Sequence, residues 1–406
     1  MSKEEMSLNR RYLNGVRMDK NTILNFFHNK RDFYFDPFLL IPVFSLLSVG
    51  FIMVLSTTLP LGDYYGRDPF NYFRRQILTV IFSTCFFIPL CFISIKRIQE
   101  FSTTILFVNL FLLALVLVPG VGHTVNGATR WINIFGFYFQ PSEWVKLTIV
   151  VYVASYIMRH EERVATSLNG FLRPFFIIIV ASFLLLLEPD FGSSVVLTMT
   201  ALGMLFFARV SFFRLLSWCL LSVSVLLFLA FAEPYRLERL LSFLDPWSDP
   251  LDSGWQLTQA LIAFANGGWF GVGLGNSMQK FFYLPEVHTD FVFAVLGEEL
   301  GIVGGSSLII LFLVLITRLF YLGGKAIEIG EKFLGYVVNG IGVSIASQCF
   351  LNIAVNLGLL PTKGLPLPFV SYGNNNLMVC CISVGIALIV GSEVNRILKR
   401  GNSESW

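Results

Sequence analysis

The residue best placed to do chemistry in this chain is Asp290. It closes the segment Tyr283-Leu284-Pro285-Glu286-Val287-His288-Thr289-Asp290 and stands directly before an apolar run that begins at Phe291. A carboxylate there lies at the lip of a membrane-length helix, where a membrane-bound substrate and water can both reach it. The matching chemistry is general-base catalysis, in which the carboxylate takes a proton from a hydroxyl as the oxygen attacks. The same position also suits a plain structural task, with Thr289 or Asp290 capping the helix that starts at Phe291. The pattern alone leaves base and cap open.

The elements that must position this residue follow from composition. A mean hydropathy of +0.70, with 14% charged and 15% aromatic residues, excludes a water-soluble globule of ordinary composition. Apolar runs near the roughly 20 residues needed to cross a hydrocarbon core recur at about 38–58, 75–95, 102–120, 143–158, 174–188, 193–208, 215–232, 291–317, 335–357 and 377–393. Every backbone hydrogen bond must be satisfied inside the bilayer, so these runs predict an all-α, polytopic integral membrane protein of about ten transmembrane helices. A large external loop, 233–290, precedes the eighth. We expect a cytoplasmic N-terminal arm over 1–37, one membrane domain over 38–395 and a cytoplasmic tail over 396–406. With both termini cytoplasmic, most of the 29 Lys and Arg residues fall inside, as the positive-inside rule requires. The first 37 residues are too polar for a cleaved signal peptide.

Other function classes are excluded in turn. A net charge of +3, spread along the chain, gives no nucleic-acid footprint. The six cysteines, Cys85, Cys91, Cys219, Cys349, Cys380 and Cys381, all fall in predicted spans with no Cys-x-x-Cys pair, which argues against a disulfide scaffold. Of the four histidines only His123 and His288 fall on the external side, too few for a histidine-based zinc site. The glycines of Gly267-Gly268-Trp269-Phe270-Gly271-Val272-Gly273-Leu274-Gly275-Asn276 imitate a phosphate-binding fingerprint, but no strand precedes them.

Three external loops stand out: 120–142, 233–290 and 358–376. In the second, Leu237, Leu240, Leu241 and Leu244 have the spacing of a helix lying along the interface over Tyr235–Leu244. Asp245-Pro246-Trp247-Ser248-Asp249-Pro250 breaks it, and Gln256 to Phe264 has the pattern of a second short helix.

Six motifs occur in a fixed order: Asn126-Gly127-Ala128-Thr129-Arg130-Trp131, Gln140-Pro141-Ser142-Glu143, Glu188-Pro189-Asp190-Phe191-Gly192, Leu284-Pro285-Glu286-Val287-His288-Thr289-Asp290-Phe291, Gly297-Glu298-Glu299-Leu300-Gly301 and Leu360-Pro361-Thr362-Lys363-Gly364. Together they resemble the SEDS family (shape, elongation, division and sporulation) over most of residues 40 to 395. Phe243-Leu244-Asp245-Pro246-Trp247 and Gly271 to Ser277 look more like its division branch than its elongation branch. The resemblance implies ten transmembrane helices in the bacterial inner membrane, the division septum as the site of work, and peptidoglycan glycosyltransferase activity on lipid II. It also implies partnership with a class B penicillin-binding protein and with other membrane proteins of the division machinery. The family's essential aspartate matches Asp290. One departure is Ser371-Tyr372-Gly373-Asn374-Asn375-Asn376, where the family usually continues with glycine and serines after Ser-Tyr-Gly.

Under that resemblance the donor's lipid pyrophosphate leaves as a sugar hydroxyl attacks the anomeric carbon, which calls for positive charge. Arg130, Arg236, Arg239 and Lys363 are the external cations placed to meet phosphate, with interfacial charge toward lipid head groups as the alternative. Lys146, a turn inside a span, is either a substrate-binding cation or the structural partner of Glu143 three positions earlier. His288 is expected as a hydrogen-bonding neighbour of Asp290, and Ser371 as a further substrate-binding residue. No cofactor is required by the pattern. A divalent cation, magnesium or manganese, could share the pyrophosphate charge through Asp290 or Glu286, although no ligand spacing defines a metal site. Glu188, Asp190, Glu298 and Glu299 are expected to form salt bridges inside the bundle. Two rivals remain: a lipid II flippase, with intramembrane charges lining a path, and a noncatalytic division scaffold.

Overall fold

The ten apolar runs each coincide with one helix. The computed structural model describes residues 34–66, 68–90, 95–125, 127–231, 242–250, 252 and 254–403. The N-terminal arm up to residue 33, Arg236, Arg239 and most of the Tyr235–Leu244 segment lie outside the described residues. The long helices are α1 (Pro37–Tyr65), α2 (Asn71–Leu90), α3 (Ile95–Val116), α4 (Pro141–Arg159), α6 (Leu168–Leu187), α7 (Phe191–Phe207), α8 (Phe212–Phe231), α10 (Val292–Glu328), α11 (Lys332–Asn356) and α12 (Asn374–Ser403). Two short ones, α5 (Glu161–Thr166) and α9 (Trp255–Gly267), complete the described set. Among the described residues, six helices are by themselves long and apolar enough to cross a membrane: α1, α3, α6, α10, α11 and α12. The protein is a multi-pass helical membrane protein.

Apolar side chains point both ways in these helices because lipid solvates them as well as the core does. Phe107 and Phe111 of α3 and Phe176 and Phe183 of α6 are exposed, while Leu106, Leu113, Phe171 and Ile178 on the same helices are buried. Helix α4 differs. Most of its residues are buried, including Glu143 and Lys146, so it runs through the bundle against α3, α7, α11 and α12.

Two departures from the expected all-helical pattern bear on the site. Residues 122–139 form a three-stranded antiparallel meander of β1 (Gly122–Val125), β2 (Ala128–Ile134) and β3 (Phe137–Phe139). Its second turn places Phe135 and Gly136 at φ 50° and 87°, the left-handed pair that a two-residue hairpin demands.

The second departure is a break in α10 at Gly301, with φ 68° and ψ −166°. The glycine-rich segment after α9 enters this break and exchanges backbone hydrogen bonds with both halves. Ile302 and Val303 N–H donate to Gly268 O (2.9 Å) and Trp269 O (3.1 Å), and Val272 and Gly273 N–H donate to Glu298 O (3.0 Å) and Glu299 O (3.1 Å). The glycines serve close backbone approach: a Cβ at Gly271 would lie 2.1 Å from Glu299 O. The two acidic residues anchor the same segment. Glu299 pairs with Lys280 at 3.0 Å, both nearly fully buried, and accepts from Ser56 Oγ at 2.7 Å. Glu298 accepts from Ser277 Oγ and from the N–H groups of Met278 and Gln279, both at 3.3 Å. The expected intrabundle salt bridge is thus present for Glu299, while Glu298 is hydrogen-bonded instead.

Candidate active site

Asp290 ends a loop pinned by apolar anchors, since Leu284, Val287 and Phe291 are buried. Glu286 sits in the left-handed region (φ 52°), and its carbonyl accepts the N–H groups of Thr289, Asp290 and Phe291 at 3.2, 3.1 and 3.3 Å. Its carboxylate accepts from Thr289 Oγ1 at 2.8 Å. The helix starts one residue later than expected, at Val292, and its N-cap, Phe291, supplies no side-chain hydrogen bond. The first-turn N–H of Ala294 is instead taken by Asn356 Oδ1 of α11, at 3.0 Å.

The loop that follows α11 closes over this one. Asn352 Nδ2 donates to Asp290 O (2.9 Å) and Leu365 O (2.6 Å), and Tyr372 N–H donates to His288 O (2.8 Å). Gly364 is thereby held against Asp290, with Lys363 the residue before it. A methyl group on Gly364 would lie 3.2 Å from Asp290 Oδ2. The Lys363 ammonium sits 4.2 Å from the ring centre of Phe191 at the start of α7. Burial lowers its pKa to about 8, so it remains mostly charged at neutral pH.

His288 is half-buried, and burial holds its imidazole below the ordinary range, Glu286 opposing. It is therefore neutral at pH 7, and its ring packs among Tyr72 and Tyr372 at centroid distances of 5.3 and 5.8 Å. Burial raises the Tyr372 phenol above its ordinary range, opposed by the neighbouring guanidinium of Arg75 on α2. Arg75 is exposed and, with Tyr72, was not singled out by sequence. The available signal was the Arg74-Arg75 pair at the lip of the second apolar run.

The remaining predicted residues have diverse surroundings. Arg130 of β2 donates through Nε to Glu188 O (3.2 Å) and through Nη2 to Pro189 O (2.5 Å), which clasps the meander to the α6–α7 turn. In that turn Asp190 caps α7 by accepting from Ser193 N–H (3.1 Å). Glu188 is fully buried with both carboxyl oxygens lacking a hydrogen-bond partner. Burial, reinforced by Asp190 and opposed by Arg130, raises its pKa to about 9, so it carries a proton at neutral pH. Among the described residues neither acid has the salt-bridge partner expected of it. Lys146 pairs with Glu143 at 2.8 Å, both buried, beside a cavity of about 20 Å³ also lined by Gln348, Asn376 and Cys380. Ser371 Oγ accepts the Leu367 N–H at 2.9 Å and so closes its own loop. The departing asparagines join elements: Asn375 Nδ2 donates to Tyr138 O (2.8 Å) and Asn376 Nδ2 to Glu143 Oε2 (2.7 Å). Among the described residues no group of three His, Cys, Asp or Glu side chains converges as a metal site.

A helical membrane protein that gathers a half-buried carboxylate, a lysine and an arginine at the rim of its bundle has the layout of a membrane enzyme acting on a lipid-borne substrate. Residues 37–396 match the FtsW/RodA/SpoVE family of cell cycle proteins, and the chain belongs to that family. It is 44% identical over 378 residues to the probable peptidoglycan glycosyltransferase FtsW of Methylococcus capsulatus, covering 92% of this chain and 94% of that one. It is likewise 44% identical over 362 residues to the protein of the same name from Coxiella burnetii, covering 88% and 96%. Among solved structures it resembles a chain described under "Structural coordination of polymerization and crosslinking by a peptidoglycan synthase complex" (TM-score 0.72, 28% identity, 89% and 98% covered). It also resembles the Thermus thermophilus rod shape determining protein RodA (TM-score 0.64, 26% identity, 88% and 96% covered). The chain is thus an enzyme of the peptidoglycan glycosyltransferase class.

Proposed function

We propose that the chain polymerises lipid II into glycan strands at the outer face of the bacterial inner membrane during cell division. In this reading both termini are cytoplasmic, and the chain works at the septum with a class B penicillin-binding protein and other division membrane proteins. The acceptor hydroxyl oxygen attacks the anomeric carbon of the donor, its proton passes to Asp290, and the bond to the lipid pyrophosphate breaks with inversion. Lys363 and Arg75 stabilise the leaving phosphates. Arg130 already donates to two carbonyls, so its part is to hold the rim in shape. Arg236 and Arg239 are assigned to phosphate or head groups by sequence position alone. A divalent cation, magnesium or manganese, would enter with the pyrophosphate, with Asp290 and Glu286 supplying part of its oxygen shell.

The observation that carries this reading is the meeting of two family motifs at Asp290, whose carboxylate lies against Gly364 beside a half-buried lysine. A flippase has less support. Lys146 and Glu299, the charges that would line its path, are held in buried ion pairs with Glu143 and Lys280.

The test is lipid II polymerisation by the purified protein with its penicillin-binding partner, at matched folding and complex formation. Asp290→Asn and Asp290→Ala are expected to lose at least the roughly 10²- to 10⁴-fold that general-base catalysis supplies. Equal polymer from all three proteins would remove Asp290 from the mechanism. No polymer from wild type, with lipid II transport intact, would favour the flippase.

A further inference from the structure

Asn352 and Asn356 lie one turn apart on α11, and both are buried. Both donate to the same acceptor, the carbonyl of Asp290, at 2.9 Å. The Asn352 amide also reaches Leu365 O at 2.6 Å, and Asn356 Oδ1 takes the Ala294 N–H at 3.0 Å. Asn356 Nδ2 further donates to Asn352 O at 2.9 Å, which ties it back to its own helix. Two neighbouring amides therefore hold three separate pieces of backbone: the residue bearing the candidate base, the first turn of α10 behind it, and the loop bearing Lys363.

This arrangement exceeds what stability alone requires. A buried carbonyl needs one donor to be satisfied, and Asp290 O has two. Rigid support matters because a base must hold its proton-accepting oxygen within hydrogen-bond reach of the attacking hydroxyl. A helix of 25 residues, Lys332–Asn356, is a stiffer mount than either loop.

We infer that Asn352 and Asn356 are positioning residues that fix the Asp290 carboxylate relative to Lys363, so that base and leaving-group cation keep one spacing during the reaction. This inference rests on the proposed lipid II chemistry for its kinetic consequence, though not for its structural one. Asn352 is the sharper test, since a single amide bridges the two loops. Replacing it with leucine keeps the approximate shape and removes both hydrogen bonds.

The experiment compares wild type, Asn352→Leu and Ser347→Ala in lipid nanodiscs with the penicillin-binding partner. Ser347 is a buried residue of the same helix outside the proposed machinery, and its variant controls for general disturbance of α11. Polymerisation kinetics are read beside hydrogen–deuterium exchange of segments 284–291 and 363–371. Asn352→Leu is expected to lower kcat about 100-fold, as misplacement of a catalytic group by about an ångström does. KM for lipid II should stay within about threefold, and exchange should rise in both segments together, while Ser347→Ala matches wild type in every readout. Should leucine prevent folding, Asn352→Ala removes the amide without overpacking and carries the same expectation. Wild-type kcat in the folded variant, or faster exchange in only one segment, overturns the inference and leaves the lipid II reading intact. An inactive wild type instead overturns the lipid II reading, and the exchange data then judge the bridge alone.

Discussion

Gly301→Ala probes whether the broken helix holds the loop that carries Asp290. Gly301 has φ 68° and ψ −166°, a region that costs a residue with a side chain roughly 1–3 kcal/mol. A Cβ there would lie 2.5 Å from Trp269 O, Trp269 C and Gly271 N. All three are backbone atoms of the inserted segment and cannot swing aside as a flexible side chain would. Relief requires that segment to withdraw, which breaks the four backbone hydrogen bonds made by Gly268, Trp269, Val272 and Gly273. At about 1 kcal/mol net for each, withdrawal and strain together come to roughly 5–7 kcal/mol, comparable with the entire stability of many domains. Gly324→Ala is the internal control, because it lies on the same helix with nothing within 4 Å of its Cβ. It is expected to be neutral or to stabilise by up to about 1 kcal/mol. The assay is thermal unfolding in detergent, followed by hydrogen exchange over residues 268–280. Gly301→Ala should yield no folded protein, or folded protein with this segment freely exchanging. A melting temperature and exchange pattern equal to those of Gly324→Ala would refute the argument.

Two further outcomes follow from the loop after α11. Burial lowers the Lys363 pKa to about 8, so the cation needed for phosphate is lost as pH rises through that value, and kcat/KM should show a basic limb there. Lys363→Arg, which stays charged at all accessible pH, should remove that limb; an unchanged profile would exclude Lys363 from phosphate binding. The stability effect has the opposite sign: the unfolded chain binds more protons between about 8 and the model value of 10.5, so this group makes stability rise with pH across that window. Gly364→Ala places a methyl 3.2 Å from Asp290 Oδ2, a distance that a small turn of the carboxylate can relieve. Polymerisation should therefore fall about tenfold or more while the melting temperature moves by less than about 2 °C, since the strain is confined to the base; unchanged kinetics would show that the carboxylate has room to spare.

The helices were legible in the sequence because the bilayer leaves an apolar run no other way to satisfy its backbone. Asp290 and Lys363 were legible because each stands in a polar motif at the end of such a run. The meander was not. The seven β2 residues, Ala128 to Ile134, run as five half-buried positions followed by two exposed ones, with no alternation, so the period-2 signal that marks a strand was missing. Arg75 was missed because its role depends on Tyr372, almost 300 residues away in sequence, arriving over the start of α2. Lys280, the partner of Glu299, was hidden for a related reason. Their pairing needs the glycine segment to enter the helix break, and a local pattern cannot show a chain passing through another element. The same break explains glycines that, read locally, imitated a nucleotide fingerprint.

The protonated Glu188 also alters the charge that a phosphate would meet. The formal count of +3 treats every carboxyl as ionised. With Glu188 neutral at pH 7, the chain is one unit more positive, and that unit is gained beside Arg130 at the rim. The clasp that Arg130 makes with Glu188 uses the backbone carbonyl, so the guanidinium is fixed in place while its charge is left uncancelled by that residue. An anionic lipid approaching this rim would meet an attractive field whose strength falls when Glu188 ionises above about pH 9.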